Sequence, residues 1–144
     1  MLKFMKSLNN ISRSQANFRS ARISCDGICA THHAFVLAIC KSPGRSQEEL
    51  AQELCLNKST VTRALAHLEE SGYISRSQSK EDKRQCFVFP TEKMLDILPQ
   101  IKEVSREWNI LISQDIPQNE LEIFYSVLSR MEARAKQINA QEEK

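Results

Sequence analysis

Two helix-start signals lie close together in the middle of the chain and constrain its fold more than any other feature. Ser46 and Glu49 have the spacing of a capping box, in which each side chain accepts a hydrogen bond from the other residue's backbone amide. Asn57, a preferred N-cap residue, marks a second start. Only a short helix, at about 46–54, and a tight turn at 55–57 fit between these signals. The sequence therefore predicts two helices packed across a turn.

The second of these helices is amphipathic, and a β-hairpin is predicted after it. Val61, Leu65 and Leu68 repeat at steps of four and three, and Gly72 follows the expected helix end. The segments YISRS (73–77) and CFVF (86–89) are rich in strand-forming residues and flank the polar segment SQSKEDKRQ. Two short helices followed by such a hairpin are typical of a winged helix-turn-helix.

Longer helices are predicted on both sides of this unit. We expect a first helix at about 8–24, interrupted by Gly27, and a buried second helix in HHAFVLAICK. Thr91 is expected to cap a fifth helix, with a kink or local loosening at Pro99. A sixth helix after Pro117 has apolar residues at alternating steps of three and four, at Leu121, Phe124, Leu128, Met131, Ala135 and Ile138. Such a seam usually packs against another helix, most easily that of a second copy.

The composition is that of a globular protein, with 41% hydrophobic and 26% charged residues. No segment reaches the roughly 18 apolar residues of a membrane helix, and no signal peptide is recognised. An odd number of cysteines, five, favours reduced thiols in the cytoplasm. Glycine-rich phosphate loops, nucleophile elbows and paired carboxylates in apolar surroundings are all missing from the sequence, so we expect neither an enzyme nor a cofactor.

The start of the predicted fourth helix carries the residues best suited to double-stranded DNA. The dipole and unpaired amides of a helix start attract phosphate, and arginine is the commonest specific partner of guanine in the major groove. The predicted groove-facing residues are Lys58, Ser59, Thr60, Thr62 and Arg63. The hairpin tip adds Lys80, Lys83 and Arg84, with Asp82 as the internal partner that orients Arg84. The alternative is an ordinary exposed helix start with capping residues.

The segment CDGICATHH (25–33) concentrates two cysteines and two histidines and leaves three interpretations open. The spacing of Cys25, Cys29 and His32 nominally suits zinc, but His67 is isolated and no second ligand cluster follows, so we predict no metal. Cys29, near a helix start, with Cys25 as a resolving partner, would suit a redox switch. The preferred interpretation is positional: Gly27 ends one helix, and Cys29 or Thr31 starts the next.

The stretch from SQEELAQEL to CFVFPTEK resembles the MarR family of bacterial transcription regulators. The matching motifs are Asp82-Lys83-Arg84 in the wing and Thr91-Glu92-Lys93 at the start of the next helix. Two residues depart from the family pattern. Pro90 replaces an aliphatic residue, which is expected to shorten the second wing strand. Cys55 stands where glycine is common, which leaves the conformation of the turn open.

The resemblance implies a mainly α fold with a small β-hairpin wing, in one domain spanning 1–144. A winged helix-turn-helix DNA-binding lobe would span 32–90, and a helical dimerisation lobe would span 1–28 and 91–144. The implied function is sequence-specific transcription regulation, as a repressor. A homodimer would bind a pseudo-palindromic operator with half-sites about 10 bp apart.

The resemblance also implies release from DNA by a small aromatic or anionic effector. The crevice between the first, second and fifth helices would have as its lining residues Phe18, Arg22, His32, His33 and Val36. Ordinary packing of these residues is the alternative. Two other functions stay open: an oxidant- or metal-sensing regulator of the same family that uses Cys25 and Cys29, and a winged helix that binds protein instead of DNA.

Overall fold

The structure is a computed structural model that describes residues 2–82 and 85–142, with the side chains of 3–82 and 85–140. The chain divides into two compact units, Met1–Trp108 and Asn109–Lys144. The elements in chain order are α1 (Leu2–Arg22), a 3₁₀ turn (Ala30–His32), α2 (His33–Lys41), β1 (Arg45–Ser46), α3 (Gln47–Leu54), α4 (Lys58–Glu70), β2 (Ile74–Gln78), β3 (Cys86–Pro90), α5 (Glu92–Ser113) and α6 (Gln118–Glu142). The predicted fold class, mainly helical with a small wing, is confirmed.

The helix caps predicted at Ser46 and Asn57 are both formed. The amide of Glu49 donates to Ser46 Oγ over 3.2 Å, and the amide of Ser46 donates to Glu49 Oε2 over 2.7 Å. These hydrogen bonds hold the pKa of the Glu49 carboxyl below its usual value. At the next helix, Asn57 Oδ1 accepts from the amide of Thr60 over 2.8 Å. The two caps fix where α3 and α4 begin, because each satisfies an amide that has no partner within the helix.

The turn between α3 and α4 depends on a left-handed residue, Cys55, with φ of +53°. The amides of Cys55 and Leu56 both donate to the carbonyl of Ala51, which closes the end of α3. Cys55 is the only non-glycine residue with positive φ in the described part of the chain. The cysteine therefore takes the conformation that glycine adopts more easily.

The wing is a three-stranded antiparallel sheet in the order β1-β3-β2. Strands β2 and β3 form the predicted hairpin, whereas the two-residue strand β1 was not predicted. The expectation that Pro90 shortens the second strand is wrong, since Pro90 pairs with Ile74 at the end of the ladder. Proline is tolerated there because β1 pairs only with Phe87 and Val88 and needs no hydrogen bond from residue 90.

The hydrophobic core lies between the short helices, the wing and the first half of α5. Its fully buried members are Val36, Leu50, Val61, Leu65, Leu68, Met94 and Ile101. The three apolar residues that predicted the buried face of α4 are all in this group. Burial of each such side chain contributes about 1.5–3 kcal/mol, which ties α4 firmly to the elements around it.

The boundaries of the flanking helices differ from the sequence expectations. Helix α1 starts well before residue 8 and ends at Arg22, and Gly27 lies in the following loop with φ of +81°. A Cβ atom on Gly27 would lie 2.5 Å from Ser71 Oγ, so the loop approaches the end of α4 as closely as glycine allows. Helix α5 continues through Pro99 without interruption. The Thr91 hydroxyl donates to the carbonyl of Gly72.

The second unit consists of the end of α5 and the helix α6. On the predicted seam of α6, Leu121 and Leu128 are half-buried and the other positions are exposed, among them Phe124 at 50%, Met131 at 41% and Ile138 at 47%. A long helix with apolar side chains exposed along one seam has an uncovered face. None of the described helices is long and apolar enough to cross a membrane.

The left-handed turn makes Cys55→Gly a stabilising substitution. Glycine removes the cost of a Cβ at positive φ but makes the unfolded chain more flexible, so we expect a net gain of about 0.5 kcal/mol in the free energy of unfolding. Cys55→Val should lower it by about 1–3 kcal/mol. Urea unfolding measures both changes. The same change in the middle of α3, Gln52→Gly, is the control and should cost about 1 kcal/mol. A destabilised Cys55→Gly would contradict the turn geometry.

Candidate nucleic-acid interface

The first two turns of α4 separate a buried face from an exposed one. Val61 is fully buried, Thr60 is half-buried, and the other four predicted groove-facing residues are exposed. The structure thus puts Lys58, Ser59, Thr62 and Arg63 on the solvent side of a helix whose other side is held in the core. A rigid helix end of this kind is what major-groove recognition requires.

Lys58 has an acidic neighbour that the sequence analysis missed. Its ammonium lies 3.1 Å from a carboxylate oxygen of Glu48 on α3, and both side chains are more than 70% exposed. An exposed pair of this kind contributes little stability, so a phosphate can compete for the lysine. Glu48 thus places a negative charge beside the exposed start of α4.

The two hydroxyl residues are held by hydrogen bonds within the protein. The Ser59 hydroxyl donates to Asn57 Oδ1 over 2.9 Å. The Thr62 hydroxyl donates to the carbonyl of Lys58 over 2.8 Å and accepts from Gln47 Nε2 over 2.5 Å. Gln47, the first residue of α3, was also missed, because nothing local in the sequence links it to a residue on the next helix.

Arg63 is also exposed on this surface, and the N–H donors of its guanidinium are available. Among the described residues, it has no hydrogen bond or ion pair with another side chain or carbonyl. A guanidinium has five N–H donors and no acceptor, so it suits phosphate oxygens or the O6 and N7 atoms of guanine.

The tip of the wing is organised by Ser79, another residue that the sequence analysis did not single out. Its hydroxyl oxygen accepts from the amides of Glu81 (3.2 Å) and Asp82 (3.3 Å), and its own amide donates to the carbonyl of Gln85. Lys80 is exposed at this tip. The predicted wing residues Lys83 and Arg84 lie outside the described residues, so the role of Asp82 in orienting Arg84 stays a prediction.

The wing is tied to α4 by an ion pair between Arg76 on β2 and Glu69 on α4. Arg76 Nε donates to Glu69 Oε2 over 2.8 Å, and Arg76 Nη2 contacts the same oxygen. The hydrogen bond to Arg76 lowers the pKa of the Glu69 carboxyl and raises that of the arginine. Helix α4 and the wing are thereby fixed relative to each other.

The predicted effector residues fall into separate clusters. Phe18 contacts Trp108 with ring centroids 5.3 Å apart, and the Arg22 guanidinium lies 3.5 Å from the Phe18 centroid. Arg22 also pairs with Glu107 over 3.1 Å. This cluster joins α1 to α5.

A second cluster contains His33 and a residue that the sequence analysis did not include, Arg19. His33 is 1% exposed, and burial, with the nearby charges of Arg19 and His32, lowers its pKa to about 4. Burial also lowers the pKa of Arg19. Arg19 Nε and His33 Nδ1 are buried without a hydrogen-bond partner among the described residues. Val36 is fully buried, so it has no surface open to a ligand in this conformation.

The segment CDGICATHH joins the first two helices to α4. Cys29 precedes the 3₁₀ turn, whereas α2 itself begins at His33, later than the positional interpretation expected. His67 is not isolated: it stacks on His32 with centroids 4.9 Å apart and lies 2.9 Å from the carbonyl of Gly27. Burial, and then the neighbouring His67, lower the pKa of His32.

The cysteines of this segment are both free thiols. Cys29 is exposed, with its sulfur 2.9 Å from Thr31 Oγ1 and 3.3 Å from His32 Nδ1, whereas Cys25 is half-buried. The described residues contain no group of three or more histidine, cysteine, aspartate or glutamate side chains that could hold a metal ion.

The fold and the exposed helix end together define a winged-helix DNA-binding protein. The model of the MarR family matches residues 30–86. A solved structure of MarR is 30% identical, with a TM-score of 0.78, and the alignment covers 92% of this chain and 96% of that one. The HTH-type regulator YybA of Bacillus subtilis (strain 168) is 21% identical over 131 residues, covering 91% of this chain and 87% of the relative.

This chain belongs to the MarR family of DNA-binding transcription regulators and is not an enzyme. Two more distant structures share its fold. A MarR family regulator from Listeria monocytogenes, solved with a 26mer DNA, has a TM-score of 0.85 at 22% identity, covering 92% of this chain and 89% of that one. PcaV from Streptomyces coelicolor, solved with its natural ligand, has a TM-score of 0.78 at 16% identity, covering 89% and 90%.

The depressed pKa of His33 predicts a pH-dependent stability. In the unfolded chain this histidine binds a proton near pH 6.5, whereas in the native protein it does so only near pH 4. Its contribution is therefore complete above pH 6.5 and is lost as the pH falls towards 4. Urea unfolding at several pH values should show a shallower dependence for His33→Gln than for the wild type over this range. Parallel pH profiles would contradict a buried neutral His33.

Proposed function

We propose that this protein is a homodimeric, effector-released repressor that binds a pseudo-palindromic operator. The observation that carries this proposal is the exposed start of α4, where Arg63 has its donors available above a fully buried Val61. The shared fold of the DNA-bound regulator from Listeria monocytogenes supports it. The division into a DNA-binding lobe (32–90) and a dimerisation lobe (1–28 and 91–144), and a cytoplasmic location, are parts of the same proposal.

The proposed DNA contacts are divided between two parts of this surface. Residues on α4 enter the major groove, and the wing contacts the backbone or the minor groove. On α4 they are Lys58, Ser59, Thr60, Thr62 and Arg63. On the wing they are Lys80, Lys83 and Arg84, with Asp82 orienting Arg84.

The proposed dimer uses the uncovered seam of α6. Apolar side chains at Phe124, Met131 and Ile138 are each more than 40% exposed, and a second copy that buries them would remove this surface from water. A symmetric dimer carries two copies of α4, which explains why an operator should have two inverted half-sites about 10 bp apart.

The proposed effector is an aromatic anion that binds among Phe18, Arg22, His32, His33 and Val36. The buried donor of Arg19 extends this set, because a desolvated guanidinium without an acid partner among the described residues attracts a carboxylate. His33 is neutral at physiological pH and would serve as a hydrogen-bonding group. Since Val36 is fully buried, binding requires the site to open. An effector that prefers the open form would shift the dimer away from its DNA-binding conformation.

The alternative is oxidant sensing by Cys25 and Cys29. The exposure of Cys29 and the imidazole 3.3 Å from its sulfur favour this second proposal. Cys29→Ser would abolish a response of operator binding to peroxide and leave a response to aromatic acids intact.

Arg63→Ala tests the DNA-binding surface. Loss of one good guanine contact costs about 1–3 kcal/mol, so we expect operator affinity to fall about 5- to 150-fold with little change in non-specific binding. Binding is measured by fluorescence anisotropy, and footprinting should show two protected half-sites. The matched control is Arg106→Ala, an exposed arginine that pairs with Glu103 on α5. Equal losses in both variants, or none for Arg63→Ala, would argue against the proposed surface.

Two aromatic probes that differ in charge test the effector proposal. Benzoate should weaken operator binding by the wild type, typically 5- to 150-fold for an allosteric ligand, whereas the uncharged benzyl alcohol should not. Arg19→Leu should lose most of the benzoate response and keep its affinity for DNA in the absence of ligand. The proposal fails if both probes act equally or if the Arg19 variant responds like the wild type.

A further inference from the structure

The hydroxyl proton of Ser59 is already used in a hydrogen bond within the protein. Asn57 Oδ1 accepts the amide proton of Thr60, which identifies this atom as the oxygen of the side-chain amide. An amide oxygen carries no proton. The Ser59 hydroxyl, 2.9 Å from the same oxygen, must therefore donate to it. What Ser59 presents to solvent is a pair of acceptor sites.

The hydroxyl proton of Thr62 is likewise used in a hydrogen bond within the protein. Its partner is the carbonyl oxygen of Lys58, 2.8 Å away, which can only accept. On its other side, Gln47 Nε2 donates to Thr62 Oγ1 and occupies one of its two acceptor sites. The hydroxyl is thus held from two directions by α3 and α4, and it has one acceptor site left.

We propose that Ser59 and Thr62 contact DNA only as hydrogen-bond acceptors, and that Gln47 is the positioning residue that fixes Thr62 for this role. This inference rests on the proposed function, because it takes α4 as the element in the major groove. Phosphate oxygens accept and do not donate, so neither hydroxyl serves as a phosphate contact. In the major groove the donors are the N6 amino group of adenine and the N4 amino group of cytosine.

Arg63 has the opposite hydrogen-bonding character and therefore prefers a different base. Its guanidinium offers only donors, which match the O6 and N7 acceptors of guanine. Thr62 and Arg63 are consecutive on α4, so one α4 helix presents an acceptor beside a set of donors. Each half-site therefore combines a guanine read by Arg63 with an adenine or cytosine read by Thr62.

Selection of bound sequences from a randomised DNA library tests the acceptor rule. The wild type should prefer one base pair at a position that loses its preference in Thr62→Val. Because every base pair carries one of these donors, adenine N6 or cytosine N4, the donor is tested directly by replacing that amino group with hydrogen at this position. The replacement should weaken binding by the wild type but not by Thr62→Val. This variant keeps the side-chain shape and removes the hydroxyl. Discrimination at that position should fall about tenfold, within the range expected for one mismatched base pair. Preferences elsewhere in the half-site should persist, as should the salt dependence of binding, since no phosphate contact is lost.

Gln47→Leu tests the positioning role with a readout that a merely structural residue would not change. It should weaken discrimination at the Thr62-dependent position alone, and adding it to Thr62→Val should cause no further loss, as expected of two residues that act through one contact. Gln52→Leu, at an exposed glutamine of the same helix, is the matched control and should select the wild-type sequence. Circular dichroism confirms that each variant is folded.

The outcomes separate this inference from the proposed function. A folded wild type that selects no sequence overturns both. A selective wild type that keeps its affinity when the amino group of the Thr62-dependent base pair is replaced by hydrogen overturns the acceptor rule alone, as does an unchanged preference in Thr62→Val. If Gln47→Leu selects the wild-type sequence with undiminished discrimination, Gln47 does not position Thr62.

Discussion

The N-cap of α4 by Asn57 is the interaction on which the functional surface depends. One side-chain oxygen accepts from the amide of Thr60, which starts the helix, and from the hydroxyl of Ser59, which fixes the polarity of that side chain. The cap also sets the rotation at which the helix enters the core, so that Val61 is buried and Arg63 is exposed. A change in the starting residue would move every later side chain around the helix by about 100°, since there are 3.6 residues per turn.

The elements around α4 hold it on several sides by hydrogen bonds and an ion pair. Arg76 ties the wing to Glu69, and His67 lies against the loop between α1 and α2 at the carbonyl of Gly27. Tyr73, just beyond the helix, donates from its hydroxyl to the carbonyl of Asp26 in the same loop. A shift of this loop would therefore alter the hydrogen bonds that join it to α4 and to Tyr73. That loop contains most of the CDGICATHH segment, in which His32 stacks on His67 and so links the loop to α4.

Sequence reasoning succeeded where a feature is encoded by neighbours a few residues apart. The caps at Ser46 and Asn57, the buried stripe of α4 and the hairpin were all predictable, because capping and periodicity act within one or two turns. The two-residue strand β1 was missed because so short a strand has no pattern of its own. The expected shortening at Pro90 was wrong for a related reason: whether a strand tolerates proline depends on which neighbour pairs with it, and β1 was not foreseen.

The sequence by itself determined the helix starts, the buried face of α4 and the set of exposed cationic and hydroxyl residues at its beginning. Only the tertiary structure decided which partners those groups and their neighbours have. It brought Gln47 to Thr62, stacked His67 on His32, and left the polar atoms of Arg19 and His33 buried without partners among the described residues. The physical reason is that a hydrogen bond between distant segments depends on how the core orients both of them, and burial, which shifts the pKa values, is a property of the whole packed unit.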